Sequence, residues 1–206
     1  LREVIDNKEE SKLGALASNN ATLEEYYLLR KLLKQVGSDN TDYRLNIKDL
    51  SNTINLDSNI KIKDIENIDY ALLVGSYTRL EQPMINHRLR KSSLNGATID
   101  VINSMSFNYN LPINSEYILN SSQIANLLAR TLKAILLSKE QEIPGYLDKF
   151  KVSDADTQLA NKLLSSDKSA IILGEHLINS DNSSNIANLI SIIAEKTSSS
   201  TLNLSE

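Results

Sequence analysis

The chain has 206 residues, 41% of them hydrophobic and 23% charged, with a formal net charge of -4. This is ordinary globular usage over a length that buries a real core, so bulk disorder is excluded and a general phosphate-backbone binder is disfavoured. With no cysteine, disulfides, thiolate zinc sites and cysteine-ligated iron–sulfur clusters are excluded within this chain.

In chain order, residues 12–18 are the first strand candidate, and Asn19-Asn20 make a polar turn. Thr22 and Glu25 have capping-box spacing. The helix behind them carries Tyr26, Leu29, Leu32, Leu33 and Val36 at helical steps, and Gly37 stops it. Residues 38–67 are punctuated by Asn52, Asn55 and the Asp57-Ser58-Asn59 triplet. They read as surface connections with at most short helical turns.

Residues 68–103 carry the sharpest pattern. Tyr70 to Val74 is a buried strand ending on Gly75, and 76–82 is a loop. Pro83 suits a first helical position. The helix runs through Ile85, Leu89 and Leu94 to Asn95-Gly96, and Thr98 to Asn103 is the next strand. This is a βαβ unit with parallel strands.

Residues 104–117 read as a loop, and a helix follows from Ser121 or Ser122 with Ile124, Leu127, Leu128, Leu132 and Ile135 inward. Pro144-Gly145 breaks the chain, and Ser153 and Asp156 open another helix through Leu159, Leu163 and Leu164. Residues 168–174 are the last expected strand. Ser183 or Ser184 caps a final helix with Ile186, Leu189, Ile190 and Ile193 inward, and residues 198–206 are expected to fray. The alternation defines an α/β fold, with a largely parallel, Rossmann-like sheet flanked by helices.

No apolar run approaches the roughly 18–20 residues that cross a bilayer, and no basic start with an apolar stretch marks a signal peptide. The chain opens on Leu1 rather than Met, and we expect a piece of a longer protein.

Ligands of open α/β sheets sit beyond the carboxyl ends of the strands. Here that points to Gly75, Ser76 and Thr78, to the turn holding Asn103 and Met105, and to the loop after Gly174. A phosphate could sit at the helix starting at Pro83. Against this, Gly75 stands alone, without a glycine-rich dinucleotide or P-loop motif. Glu81 also lies just before the helix, where its charge repels phosphate.

His87 and His176 are the only histidines and lie in separate units. A surface or packing role suits both, and no catalytic or metal residue is assigned. His87, Arg88, Arg90 and Lys91 form a cationic run that reads as a solvated face or an anion-binding one. The Glu24-Glu25 pair and Asp64 with Glu66 fit helix starts and surfaces. The residues alone thus describe an α/β module without a visible active site.

Several segments resemble a known family. Ala17-Ser18 with residues 21–33 and 37–45 is similar to the central region of the large iron–sulfur subunit of the NADH-quinone oxidoreductases, the enzymes of respiratory complex I. Residues 69–76 with Arg79, Glu81, Pro83 and 87–91 continue the likeness, and 170–174 carries it to the end. This region resembles the molybdopterin oxidoreductases, such as formate dehydrogenase, whose equivalent strand ends hold a bis-guanine-dinucleotide cofactor. Those enzymes usually carry an aspartate where this chain has Asn103 and an arginine where it has Met105. A counterpart of their molybdenum ligand is not recognisable.

The resemblance implies a two-lobed fold, with 1–45 and 167–206 in one discontinuous lobe and 46–166 in an inserted dinucleotide-binding-like lobe. It implies a structural region without a cofactor, in which Gly75, Ser76, Thr78, Asn103 and Met105 line a vestigial cleft. Iron–sulfur clusters are expected only in the N-terminal part of the whole subunit, outside this chain. Other parts of that subunit and other peripheral-arm subunits are the expected partners, on the cytoplasmic side of the bacterial inner membrane, without nucleic acid or membrane insertion. An apolar patch should then remain exposed for those contacts. The rivals are an active molybdopterin guanine dinucleotide or nucleotide-binding oxidoreductase domain, and a small-molecule sensor using the same cleft.

Overall fold

The computed structural model describes residues 13–18, 21–43, 49 and 56–204. The chain separates into two units, Leu1–Ile47 and Lys48–Glu206.

The first unit is a small βαβ element. Strand β1 (Ala15–Leu16) pairs in parallel with β2 (Thr41–Asp42), and helix α1 (Leu23–Val36) connects them. The capping box forms as its spacing predicts. Glu25 N–H donates to Thr22 Oγ1 at 3.3 Å, and Thr22 N–H donates to Glu25 Oε2 at 2.7 Å. Gly37 ends the helix at φ +88°, a conformation that suits a residue without Cβ. Strand β2 lies in the stretch read as irregular. Two residues are too short a run to show a period. Lys12, the Asn19-Asn20 turn, Asn52 and Asn55 lie outside the described residues.

The second unit is built on a five-stranded parallel sheet. Its strands are β3 (Tyr70–Val74), β4 (Thr98–Asn103), β5 (Ser115–Ile118), β6 (Ser169–Leu173) and β7 (Ser200–Asn203). Their order across the sheet is β5-β4-β3-β6-β7. Every residue of β3 and β6 is buried, as expected for strands covered on both faces. Side chains alternate between two cores. Tyr70, Leu72 and Val74 face one side with α4 (Ser121–Ser138), α5 (Asp154–Ser165) and α7 (Ser183–Thr197). Ala71 and Leu73 face the other with α3 (Pro83–Leu94) and the 3₁₀ turn Ile62–Asn67. The short helices α2 (Thr78–Glu81) and α6 (Glu175–Ile178) follow β3 and β6 directly.

The βαβ unit, the start of α3 at Pro83 and its end at Asn95-Gly96 stand as the sequence predicts. Three readings differ. Residues 115–118 form a strand rather than loop, because a half-buried edge strand of Ser, Glu, Tyr and Ile offers little apolar signal. Ser200–Asn203 do not fray. They form β7, with Thr201 and Leu202 buried. The helix α7 is preceded by Asn182 as its cap residue, one position before the expected serines.

The lobe boundaries also differ. β6 and β7, which lie in the expected separate lobe, join the same sheet as the strands of 68–118. β6 hydrogen-bonds alongside β3 from Tyr70↔Ser169 to Val74↔Leu173, and β7 alongside β6. A strand as apolar as β3 needs a neighbour on each edge, and β6 supplies the second.

One polar cluster lies inside this packing. Asp100 is fully buried, and its Oδ2 accepts from Lys162 Nζ at 2.6 Å and from the Tyr70 hydroxyl at 3.0 Å. Its Oδ1 accepts from Asn114 Nδ2 at 2.9 Å. Burial, reinforced by the Asp100 charge, pushes the Tyr70 phenol far up. The cluster joins β3, β4, the start of β5 and α5. Lys162→Met should leave the Asp100 charge unbalanced and lower stability by about 2–4 kcal/mol. The double variant with Asp100→Asn should recover much of that loss in urea unfolding.

Candidate functional site

The strand order places a topological switch point between β3 and β6, because the chain leaves β3 toward one edge and β6 toward the other. The crevice of such a sheet opens at the carboxyl ends of these two strands, so Gly75 and Gly174 mark its floor.

Here the chain's own residues fill that floor. Gly75 has φ +62°, and a Cβ on it would lie 2.2 Å from Leu177 Cγ. A Cβ on Gly174 would lie 2.2 Å from the Gly75 carbonyl oxygen and 2.3 Å from Ser76 Cα. The two glycines therefore serve close approach of the two loops, and α6 lays Leu177, fully buried, across the end of β3.

Ser76 is buried, and its carbonyl accepts from the Tyr109 hydroxyl at 2.7 Å and from Asn103 Nδ2 at 3.0 Å. Asn103 Nδ2 also reaches the Tyr109 hydroxyl, at 3.2 Å, and its Oδ1 accepts from Ser104 N–H at 2.8 Å. Both ends of the Asn103 amide are thus committed within the chain. Thr78 donates to Asn86 Oδ1 at 2.7 Å, and Asn86 Nδ2 donates to the Tyr109 carbonyl at 3.0 Å. Met105 is 56% exposed and stands apart from this network. The structure therefore gathers Ser76, Thr78 and Asn103 around Tyr109, sets Gly75 against Leu177, and leaves Met105 outside.

The turn after β3 is occupied by an acid. Glu81 Oε1 accepts from Tyr77 N–H at 2.9 Å, so a carboxylate takes a main-chain donor that a phosphate could otherwise use. Pro83 at the start of α3 has no N–H to offer. The Tyr77 ring stacks on Phe107 at 4.4 Å and meets Tyr109 edge-on at 5.6 Å, closing this side with aromatic surface. Ser104 Oγ and His176 Nε2 lie 3.0 Å apart and link the β4 and β6 loops.

Two of the three cations of the run share a single carboxylate, and the face stays net positive. Arg88 and Lys91 both pair with Glu66. Among the described residues no group of three or more His, Asp or Glu is placed to hold a metal ion. A groove of about 590 Å³ lies on the helical layer instead, between α4, α7 and the Gly145–Leu147 turn, and contains none of the crevice residues.

Sequence reasoning missed Leu177 and Tyr109. Leu177 looks like any core leucine. Tyr109 lies in a loop without periodicity, where its burial leaves no trace.

The fold is a five-stranded parallel α/β domain flanked by helices, with its switch point packed by its own side chains. The chain belongs to the molybdopterin oxidoreductase family, which matches residues 1–204. It is 25% identical over 220 aligned residues to the NADH-ubiquinone oxidoreductase 75 kDa subunit of Reclinomonas americana, covering 98% of this chain and 28% of that protein. It is 31% identical over 99 residues to a subunit of the NADH-quinone oxidoreductase of Rickettsia prowazekii (strain Madrid E), covering 47% of this chain and 15% of that one. The chain thus spans less than a third of either relative. Among solved structures, a chain of the formyltransferase/hydrolase complex of Methylorubrum extorquens, in complex with methylofuran, aligns with a TM-score of 0.51 at 11% identity. That alignment covers 98% of this chain and 56% of that one, a likeness of fold.

Two outcomes test this geometry. Leu177→Ala should cost about 2–5 kcal/mol, and Gly75→Ala should also destabilise. The double variant should cost less than the two singles summed, because the smaller side chain relieves the clash. Burial pushes the Tyr109 phenol from 10.0 to about 12, with the Asn103 hydrogen bond opposing. The folded state then keeps a proton that the unfolded chain releases. That contribution is complete below pH 10.0 and is lost as pH rises toward about 12. Tyr109→Phe should flatten this part of the stability–pH curve, read by thermal unfolding.

Proposed function

We propose that the chain is a structural region of the large subunit of a complex-I-type NADH-quinone oxidoreductase, one that keeps the molybdopterin-family fold without its cofactor. The observation that carries this reading is Leu177 seated against Gly75 at the switch point. A bis-guanine-dinucleotide cofactor needs open main-chain donors at these strand ends. The residues present do not fit it: the Tyr77 N–H is taken by Glu81, the Asn103 amide is spent on Ser76 and Ser104, and Met105 replaces a guanidinium with a thioether. No step of chemistry is therefore routed through the group. The region contributes shape and support, and the iron–sulfur clusters lie in other parts of the subunit.

The partners in this reading are other parts of the same subunit and neighbouring peripheral-arm subunits. Exposed apolar side chains on α1 support it. Leu23 is 80%, Tyr27 64% and Leu28 60% exposed, a cluster suited to a covering surface. No helix among the described residues is long and apolar enough to cross a membrane. A peripheral position on the cytoplasmic side of the bacterial inner membrane belongs to the same proposal. The parent complex would oxidise NADH and reduce quinone, as the names of the relatives state.

Calorimetric titration with GDP, the nucleotide end of the cofactor, tests the closed crevice. We expect no saturable heat up to roughly millimolar ligand. Saturable micromolar binding would overturn the reading and return the nucleotide-binding one.

A further inference from the structure

The two edges of the five-stranded sheet are finished differently. At β7, Leu204 N–H donates inward to the Leu173 carbonyl at 3.0 Å, so Thr201 and Asn203 turn their main chain outward. Both outward N–H groups are covered. Thr201 N–H donates to Asn59 Oδ1 at 2.8 Å and Asn203 N–H to Ser58 Oγ at 3.1 Å. The Thr201 carbonyl accepts from Asn59 N–H at 3.0 Å, and the Thr201 hydroxyl donates to the Asp57 carbonyl at 2.6 Å. Residues 57–59 therefore strap this edge shut.

The β5 edge has no such strap. Leu119 N–H donates to the Asn103 carbonyl at 2.8 Å. By alternation Ser115 and Tyr117 bond toward β4, and Glu116 and Ile118 turn N–H and C=O outward. Among the described residues these outward groups meet no partner. The ladder is short: the chain bends at Leu111 and Asn114 before it, and Asn114 N–H donates to the Ile99 carbonyl at 2.8 Å. The edge is guarded only by its shortness, four residues, and by the exposed Glu116 charge, without lysine, proline or a bulge within Ser115–Ile118.

The side chains say what would pair there. Glu116 and Ile118 project to the same face of the sheet. Ile118 is 46% exposed, and Glu116 is exposed with its Oε2 accepting from Ser106 Oγ at 2.9 Å. Pairing two copies of this edge would bring two Glu116 carboxylates near each other, which is unfavourable. A strand with a cation beside Glu116 and an apolar residue beside Ile118 matches the edge in both charge and hydropathy.

We propose that the β5 edge takes a sixth strand from another polypeptide: an extended segment with a basic side chain next to Glu116 and an apolar one next to Ile118. Main-chain hydrogen bonds to Glu116 and Ile118 hold it, and the two side chains select it. The inference concerns the sheet edge and stands whether or not the crevice takes a nucleotide.

The test is amide exchange followed by NMR on the whole chain, with and without the acetylated, amidated peptide Ser-Thr-Lys-Thr-Val-Thr-Ser at about 2 mM. In this peptide lysine and valine share one face. The Glu116 and Ile118 amides should exchange freely in the chain alone and slow by about tenfold with peptide. Glu116→Lys should abolish the slowing, and a peptide with glutamate in place of lysine should restore it on that variant. The proposal is overturned if these amides are already protected in the dilute chain, or if the peptide leaves them unchanged. It is equally overturned if a peptide with proline at its centre works as well, or if protection follows chain concentration alone, which would make a second copy the occupant.

Discussion

Burial of Tyr70 to Val74 on both faces and both edges is the constraint on which the rest of the second unit depends. Five consecutive main-chain units without solvent need a parallel neighbour on each side, and β4 and β6 provide them. Alternate side chains then demand an apolar layer above and another below. Helices α4, α5 and α7 form one, and α3 with the 3₁₀ turn forms the other. Asp100, Lys162 and Tyr70 place a satisfied polar cluster within the first of these cores, tying three strands to α5. Its geometry is specific where apolar packing alone is permissive.

The same central strand decides what happens at the switch point. Where β3 ends, Gly75 adopts a positive φ, and the absence of a Cβ lets Leu177 come down onto it. In a working dinucleotide site that freedom would let a pyrophosphate approach the main chain. Here it is used for packing within the chain. Tyr109, Asn103 and Glu81 turn the Ser76 carbonyl, the Asn103 amide and the Tyr77 N–H toward partners within the chain, while Ser76 Oγ and Glu81 Oε2 stay buried without one. In the reading proposed above, the fold persists without a ligand because its layers do not need one.

Much of this architecture was legible along the chain. The capping box at Thr22 and Glu25, the stop at Gly37, and Pro83 at the start of α3 rest on local chemistry that tertiary contacts did not alter. The apolar runs 70–74 and 169–173 identified central strands because both of their faces are buried. The edge strands were less visible. β5 is half polar, and β7 follows a serine run whose composition resembles a frayed end. Thr201 and Leu202 are buried only because β6 and residues 57–59 lie beside them, and no window of sequence contains those neighbours.

The sequence by itself determined the alternation of strand and helix and the kinship with the molybdopterin oxidoreductases. Those properties are local, or follow from residue identity. The tertiary structure alone decided that β6 and β7 join the sheet of β3, β4 and β5, that Leu177 occupies the place beside Gly75, and that one sheet edge is strapped while the other is not. Each depends on contacts between residues many positions apart, which hydrophobic period and capping chemistry do not encode.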